Sequence, residues 1–172
     1  NDGNKFVAQA FERKASIAIV NKIQNKLNNN HQIKVKNTLK FLTDVSKIYR
    51  KNIDTKIIAI TGSCGKTTLK ELLGNVLSKI SKVSTSPKSY NNKFGVPLSL
   101  FNIKQNNEYG ILEVGMDKKG EIDYLSKIIE PDVGVITNIN YAHAKNFKNI
   151  KQIALAKSEI INNIRSNGFI VL

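Results

Sequence analysis

The sequence predicts an α/β fold built on a parallel, doubly wound sheet, and three observations lead to it. From residue 53 onward, apolar segments of strand length alternate with segments of helical periodicity. TGSCGKTT, residues 61–68, lies between one such strand and one such helix, where a phosphate-binding loop belongs. Before residue 53, two short apolar stretches and two helical ones predict a smaller α/β part.

In chain order, residues 4–14 are predicted as a helix, with Phe6, Val7, Ala10 and Phe11 at helical spacing. SIAIV (16–20) and IKVKN (33–37) are short strands separated by the polar NKIQNKLNNNHQ. Thr38 is the expected N-cap of the helix LKFLTDVSKIYRKN, whose Leu39, Leu42, Val45, Ile48 and Tyr49 share a face. Lys47, Arg50 and Lys51 suit the negative pole at its end. KIIAIT (56–61) is a buried strand and residues 69–80 an amphipathic helix. Strands follow at 109–115, 131–139 and 168–172, with helices at 119–129 and 150–164 between them. The expected division is 1–52 and 53–172. The thin first part and an apolar strand at the last residues predict a piece of a larger protein.

Composition narrows the function classes. A hydrophobic share of 41% is that of a globular domain and opposes disorder. No apolar run approaches the ~18 residues of a membrane span, and the first residues lack the basic leader and apolar core of a signal peptide. One cysteine, Cys64, rules out an internal disulfide framework. A cytoplasmic location is expected. The net charge of +14 raises nucleic-acid binding as an alternative. Its carriers oppose that reading: 24 lysines against three arginines are spread along the chain, and tryptophan is absent. With 23 isoleucines and 22 asparagines, the charge reads as a bias toward Lys, Ile and Asn. No nucleic-acid partner is expected.

The phosphate loop carries the strongest chemistry. A loop between a buried strand and a helix start gathers unpaired backbone N–H groups at the positive end of the helix dipole. Gly62 and Gly65 let the backbone curve around a phosphate, Lys66 supplies a cation, and the Thr67 hydroxyl can ligate Mg²⁺. The common G-x-x-x-x-G-K-[ST] pattern requires a glycine where Ile60 stands, so the form present is T-G-x-x-G-K-T-T. Cys64 reads as a small loop residue rather than a reactive thiol.

Four further positions stand out. Glu113 ends the strand YGILEVG on the carboxyl edge of the sheet, where a carboxylate can hold Mg²⁺ near the loop. His143 follows VGVITNI on the same edge; a lone histidine is more often structural. Asn91 and Asn92 precede a Gly-Val-Pro turn in SYNNKFGVPLS, which by itself reads as a loop. Lys157 lies four residues from both Ile153 and Ile161, on the apolar phase of its helix. An ammonium so placed either snorkels or is neutralised, for example by CO₂ as a carbamate.

In order along the chain, TGSCGKTT, SYNNKFGVP, EVGMDKKGEI, TNINYAH and ALAKSEI resemble the Mur ligases, ATP-dependent amino-acid ligases of peptidoglycan synthesis. The resemblance implies a partial central ATP-binding domain at 53–172, after part of the UDP-substrate domain at 1–52. It implies that Gly62, Ser63, Cys64, Gly65, Lys66, Thr67 and Thr68 hold ATP, with Lys66 on the β- and γ-phosphates. Thr67, Glu113 and His143 would serve Mg²⁺, with Lys157 as a carbamylated lysine. Lys66, His143 and Lys157 would be the catalytic set, and Asn91 and Asn92 would touch the muramoyl-peptide substrate. NNKFGVPLSL and MDKKGEI are most similar to the members that join D-alanyl-D-alanine to UDP-N-acetylmuramoyl-tripeptide through an acyl phosphate. These two compounds are then the expected partners of a monomer, and this stretch of chain alone is expected to be inactive. Ser89 and Cys64 depart from the residues usual in the family at those places. The alternatives are another Mur ligase, a folylpolyglutamate synthase-like ligase, or a nucleotide-binding module without catalysis.

Overall fold

The computed structural model describes residues 2–141 and 146–172 and divides into two compact units, Asn1–Asp44 and Val45–Leu172. In the first, a 3-10 turn, Gly3–Phe6, leads into α1, Val7–Glu12. Two three-residue strands, β1 (Ala18–Val20) and β2 (Gln32–Lys34), pair in parallel. The buried Gln32 organises the polar segment between them. Its Oε1 accepts from the Gln24 N–H, and its Nε2 donates to the Gln24 and Asn28 carbonyls.

The boundary between the units falls inside α2, Thr38–Lys51. Its cap is Asn37, not Thr38: the Asn37 Oδ1 accepts the Lys40 N–H at 2.9 Å. Ile48, expected on the packed face, is 62% exposed, while Arg50, placed by the sequence only at the negative pole of the helix, is wholly buried. The guanidinium forks onto the carbonyls of Ile129, Thr55 and Glu130 and onto Asp132, whose Oδ2 also accepts the Ile57 N–H. A buried cation is tolerable when its donors are matched in this way.

Five strands form the sheet of the second unit: β3 (Lys56–Thr61), β4 (Val83–Thr85), β5 (Tyr109–Glu113), β6 (Val133–Ile136) and β7 (Phe169–Val171). Their order is β4-β5-β3-β6-β7 and every pairing is parallel. Parallel strands need crossovers, and helices supply them: α3 (Lys66–Leu77), α4 (Gly95–Phe101), α5 (Glu121–Ile129) and α6 (Ile150–Ser158). Alternation along the strands sends Ile57, Ala59, Leu112 and Ile136 into a core with residues of α4, α5 and α6. Ile58, Ile60, Ile111 and Val135 pack instead with Leu69, Leu73 and Leu77 of α3. The sheet is thus covered on both faces, and its strands read as apolar runs for that reason.

β4 and α4 were not legible in the sequence. β4 is three half-buried residues of mixed polarity. The Gly-Val-Pro stretch, expected as a turn, opens α4, because Pro97 stands in the first turn where its missing N–H costs nothing. The expected helix 150–164 ends at Ser158 and continues as a 3-10 turn, Glu159–Asn163. Ile150 and Ile161 are accordingly exposed, while Ile153, Ala156, Lys157 and Ile160 are buried. Among the described residues, no helix is long and apolar enough to cross a membrane.

Candidate functional site

The strand order reverses direction around β3, so the carboxyl ends of β5, β3 and β6 open together at a switch point. Three segments meet there: the loop 62–65 after β3, Glu113 at the end of β5, and residues 137–140 after β6. This convergence of chain segments distant in sequence makes the site.

The loop is shaped by its glycines and braced from β6. Gly62 has a φ of 149° and Gly65 a φ of 81°, both in the region that side chains disfavour. The Thr137 hydroxyl donates to the Cys64 carbonyl at 2.6 Å. The Asn138 Oδ1 accepts the N–H groups of Ser63 and Cys64 at 3.1 and 3.0 Å, and the Asn138 Nδ2 lies 2.8 Å from the Cys64 Sγ. Ser63 Oγ exchanges hydrogen bonds with the backbone of Asn140. An oxygen thus already sits on the loop amides, in the manner of an acceptor that an anion would replace.

Lys66 begins α3 and folds back, its Nζ donating to the Gly62 carbonyl at 2.8 Å. Thr67 and Thr68 are exposed on the first turn of the same helix. Lys157 is 1% exposed, on the buried phase of α6. Burial, and secondarily the Lys66 charge, lower its pKa to about 8. An amine so depressed is partly neutral near physiological pH, which is the form that can combine with CO₂.

Glu113 is 0% exposed. Its Oε1 lies 3.2 Å from the Nζ of Lys70, within ion-pair reach but off the direction of a hydrogen bond, so this oxygen has no hydrogen-bond partner among the described residues. The Thr61 Oγ1, at the end of β3, is likewise buried without one. An orphaned carboxylate oxygen beside a phosphate loop fits a divalent cation, as does the exposed Thr67 hydroxyl. Among the described residues, no three His, Cys, Asp or Glu side chains gather as a ready-made metal cluster. His143 lies outside the described residues.

The paired asparagines separate. The Asn91 Nδ2 faces the Glu113 Oε2 at 3.5 Å, so this residue borders the carboxylate. Asn92 turns to the backbone, its Oδ1 accepting the N–H groups of Phe94 and Gly95 at the start of α4. Sequence reasoning overlooked Lys70 and the Thr137–Asn140 brace. Lys70 carried the same signal as Lys157, a lysine on a packed helical phase. The brace lies within TNINYAH, but its role was not legible there, because only the strand order brings it against the loop.

With the geometry in place, comparisons identify similar proteins. A model of the Mur ligase middle domain matches residues 60–172. A UDP-N-acetylmuramoyl-tripeptide–D-alanyl-D-alanine ligase of Bacillus subtilis is 39% identical over 173 residues, covering 99% of this chain and 37% of the relative. A crystal structure of MurF from Acinetobacter baumannii superposes with a TM-score of 0.86 at 36% identity, over 96% of this chain and 36% of that one. MurF of Thermotoga maritima in complex with ADP gives 0.85 at 30% identity, over 98% and 39%. The chain therefore spans little more than a third of the length of these relatives.

Proposed function

We propose, for a chain that belongs to the Mur ligase family through its middle domain, that the whole protein is the ATP-dependent ligase joining D-alanyl-D-alanine to UDP-N-acetylmuramoyl-tripeptide. Residues 53–172 form part of its ATP-binding domain, and residues 1–52 part of the domain that takes the UDP end. The observation that carries this reading is the braced loop beside the buried Glu113, where β3 and β5 end, with the buried Lys157 close enough to Lys66 to feel its charge. The names of the similar ligases and the ADP complex of the Thermotoga relative support it.

The loop amides of Ser63 and Cys64, once Asn138 releases them, bind phosphate oxygens together with the Gly65 amide, and the positive end of α3 favours their charge. Lys66 leaves the Gly62 carbonyl for the β- and γ-phosphates, where it offsets the charge that gathers as the substrate carboxylate approaches phosphorus. Thr67, Glu113 and His143 would hold Mg²⁺, joined by Lys157 as its carbamate, and the bound ion would supply further neutralisation of the phosphates. Asn91 orients Glu113 from one side. The carboxylate displaces ADP from the γ-phosphorus to give an acyl phosphate, which the amine of D-alanyl-D-alanine attacks, releasing phosphate and forming the peptide bond. ATP activates the carboxylate, so no side-chain nucleophile is required.

Calorimetric titration with ATP tests the site. Binding that requires Mg²⁺ and is lost in Lys66→Ala supports the assignment. Phosphate release by the full-length protein that depends on both the muramoyl-tripeptide and D-alanyl-D-alanine supports the reaction. A folded full-length protein that binds no nucleotide, or that accepts a different amine, overturns the corresponding part.

A further inference from the structure

We propose that Lys70 is a positioning residue for Glu113, holding the carboxylate in the orientation in which it receives a divalent cation. The inference rests on Glu113 being a metal ligand, as proposed above. Lys70 lies one helical turn beyond Lys66 on α3 and is 0% exposed. A leucine at this place would satisfy packing without desolvating an ammonium, so the buried charge calls for a cause other than packing.

The contacts supply that cause. Two of the three ammonium donors have carbonyl acceptors, and two carboxylate oxygens stand within ion-pair reach. Its Nζ donates to the Ser86 carbonyl at 2.8 Å and to the Lys88 carbonyl at 2.6 Å, and faces the Glu113 Oε1 at 3.2 Å. The Glu71 Oε1, on a half-exposed side chain, lies 3.3 Å away at the rim. Lys70 thereby joins the phosphate-loop helix, the segment after β4 and the end of β5. The same segment grips Glu113 twice more: the Ser86 Oγ accepts the Glu113 N–H at 3.3 Å, and the Asn91 Nδ2 faces its Oε2. Glu113 is consequently held at its backbone and at both oxygens, yet Oε1 has an off-line contact in place of a hydrogen bond. That geometry fixes the direction of the carboxylate while leaving a lone pair for a metal. Groups that orient a metal-binding carboxylate change metal affinity by about 10–100-fold when removed.

The experiment uses the full-length protein, a non-hydrolysable ATP analogue and Mn²⁺ as the paramagnetic probe, with free Mn²⁺ read by EPR. Lys70→Met is expected to weaken Mn²⁺ binding about tenfold, with affinity for metal-free ADP within about twofold of wild type as for a site whose loop is intact. In a Glu113→Gln background, Lys70→Met is expected to have no additional effect, because its action runs through that carboxylate. Lys70→Gln retains a donor for the buried carbonyls and replaces Lys70→Met if melting shows that variant unfolded; the same loss is expected. Unchanged or tighter Mn²⁺ binding in the Lys70 variants, or additive effects in the double variant, overturns the positioning role. Glu113→Gln with wild-type Mn²⁺ affinity instead overturns the assignment of Glu113 as ligand, so the two failures are distinguishable.

Discussion

The hydroxyl oxygen of Thr137 occupies the space that a side chain on Gly62 would need: a Cβ built there falls 1.9 Å from it. The same hydroxyl donates to the Cys64 carbonyl, so it cannot withdraw without unbracing the loop. Gly62→Ala is expected to destabilise the fold by about 2 kcal/mol, from this collision and from a φ that a side chain disfavours. ATP affinity should fall by more than about tenfold as the loop is displaced. Urea denaturation and calorimetry on the same preparation check both parts. A stable variant with normal affinity would show that the loop does not need this close approach.

Lys157 makes stability depend on pH with a defined sign. Its folded-state pKa of about 8 lies below the ordinary lysine value of 10.5, with burial the main cause. The folded state therefore binds its proton less well than the unfolded one. The resulting penalty is fully present below about pH 8 and is lifted as pH rises from there to 10.5. Lys157→Met is expected to be more stable than wild type at pH 7 by about 1–3 kcal/mol. The gap should narrow steadily above pH 8. CO₂-free buffers keep carbamate formation from masking the effect. A gap that is constant from pH 7 to 10 would refute the depressed pKa.

Glu159, two residues beyond Lys157, caps a different helix. Its carboxylate accepts the Gly120 N–H at 2.9 and 3.0 Å and the Asp123 N–H at 3.2 Å, closing the first turn of α5. Glu159→Ala is expected to cost about 1–2 kcal/mol, the range for a lost cap with a charged acceptor. Hydrogen exchange at the Gly120 and Asp123 amides should accelerate in the variant. Unaltered exchange would mean that water replaces the carboxylate without loss.

Cys64 reports on occupancy of the loop. Its side chain is exposed, and its backbone N–H and sulfur both contact the Asn138 amide. Mg·ADP seated on the loop should cover the thiol and slow its alkylation by iodoacetamide by about tenfold, a factor that follows from the open fraction at tenfold saturation. Peptide mass spectrometry measures the rate at this residue. Equal rates with and without Mg·ADP, under conditions where calorimetry shows binding, would place the nucleotide away from Cys64.

Much of the local structure was legible. β3 begins and ends where the apolar run KIIAIT does, since a strand buried on both faces has no polar alternation to blur its limits. The buried phase of Lys157 was legible for a similar reason, although the helix is shorter than its periodicity suggested. Arg50 shows the opposite case. Its position near a helix end suggested only a role at the helix pole, but carbonyls from residues 53–55 and 129–130 bind it, and nothing local encodes the distant pair.

The sequence by itself determined the order of strands and helices from residue 53, the loop with Lys66 at its turn into α3, and the family. Those features depend on neighbours in the chain: periodicity, glycine backbone freedom and a cation at a helix start. Only the tertiary structure decided that β3 lies between β5 and β6. That order carries Glu113 to the loop and sets Asn138 on its amides, and it exposes the buried pairing of Lys70 with Glu113. Strand order is settled by the burial of both sheet faces together, a condition on the whole core that no local stretch of sequence contains.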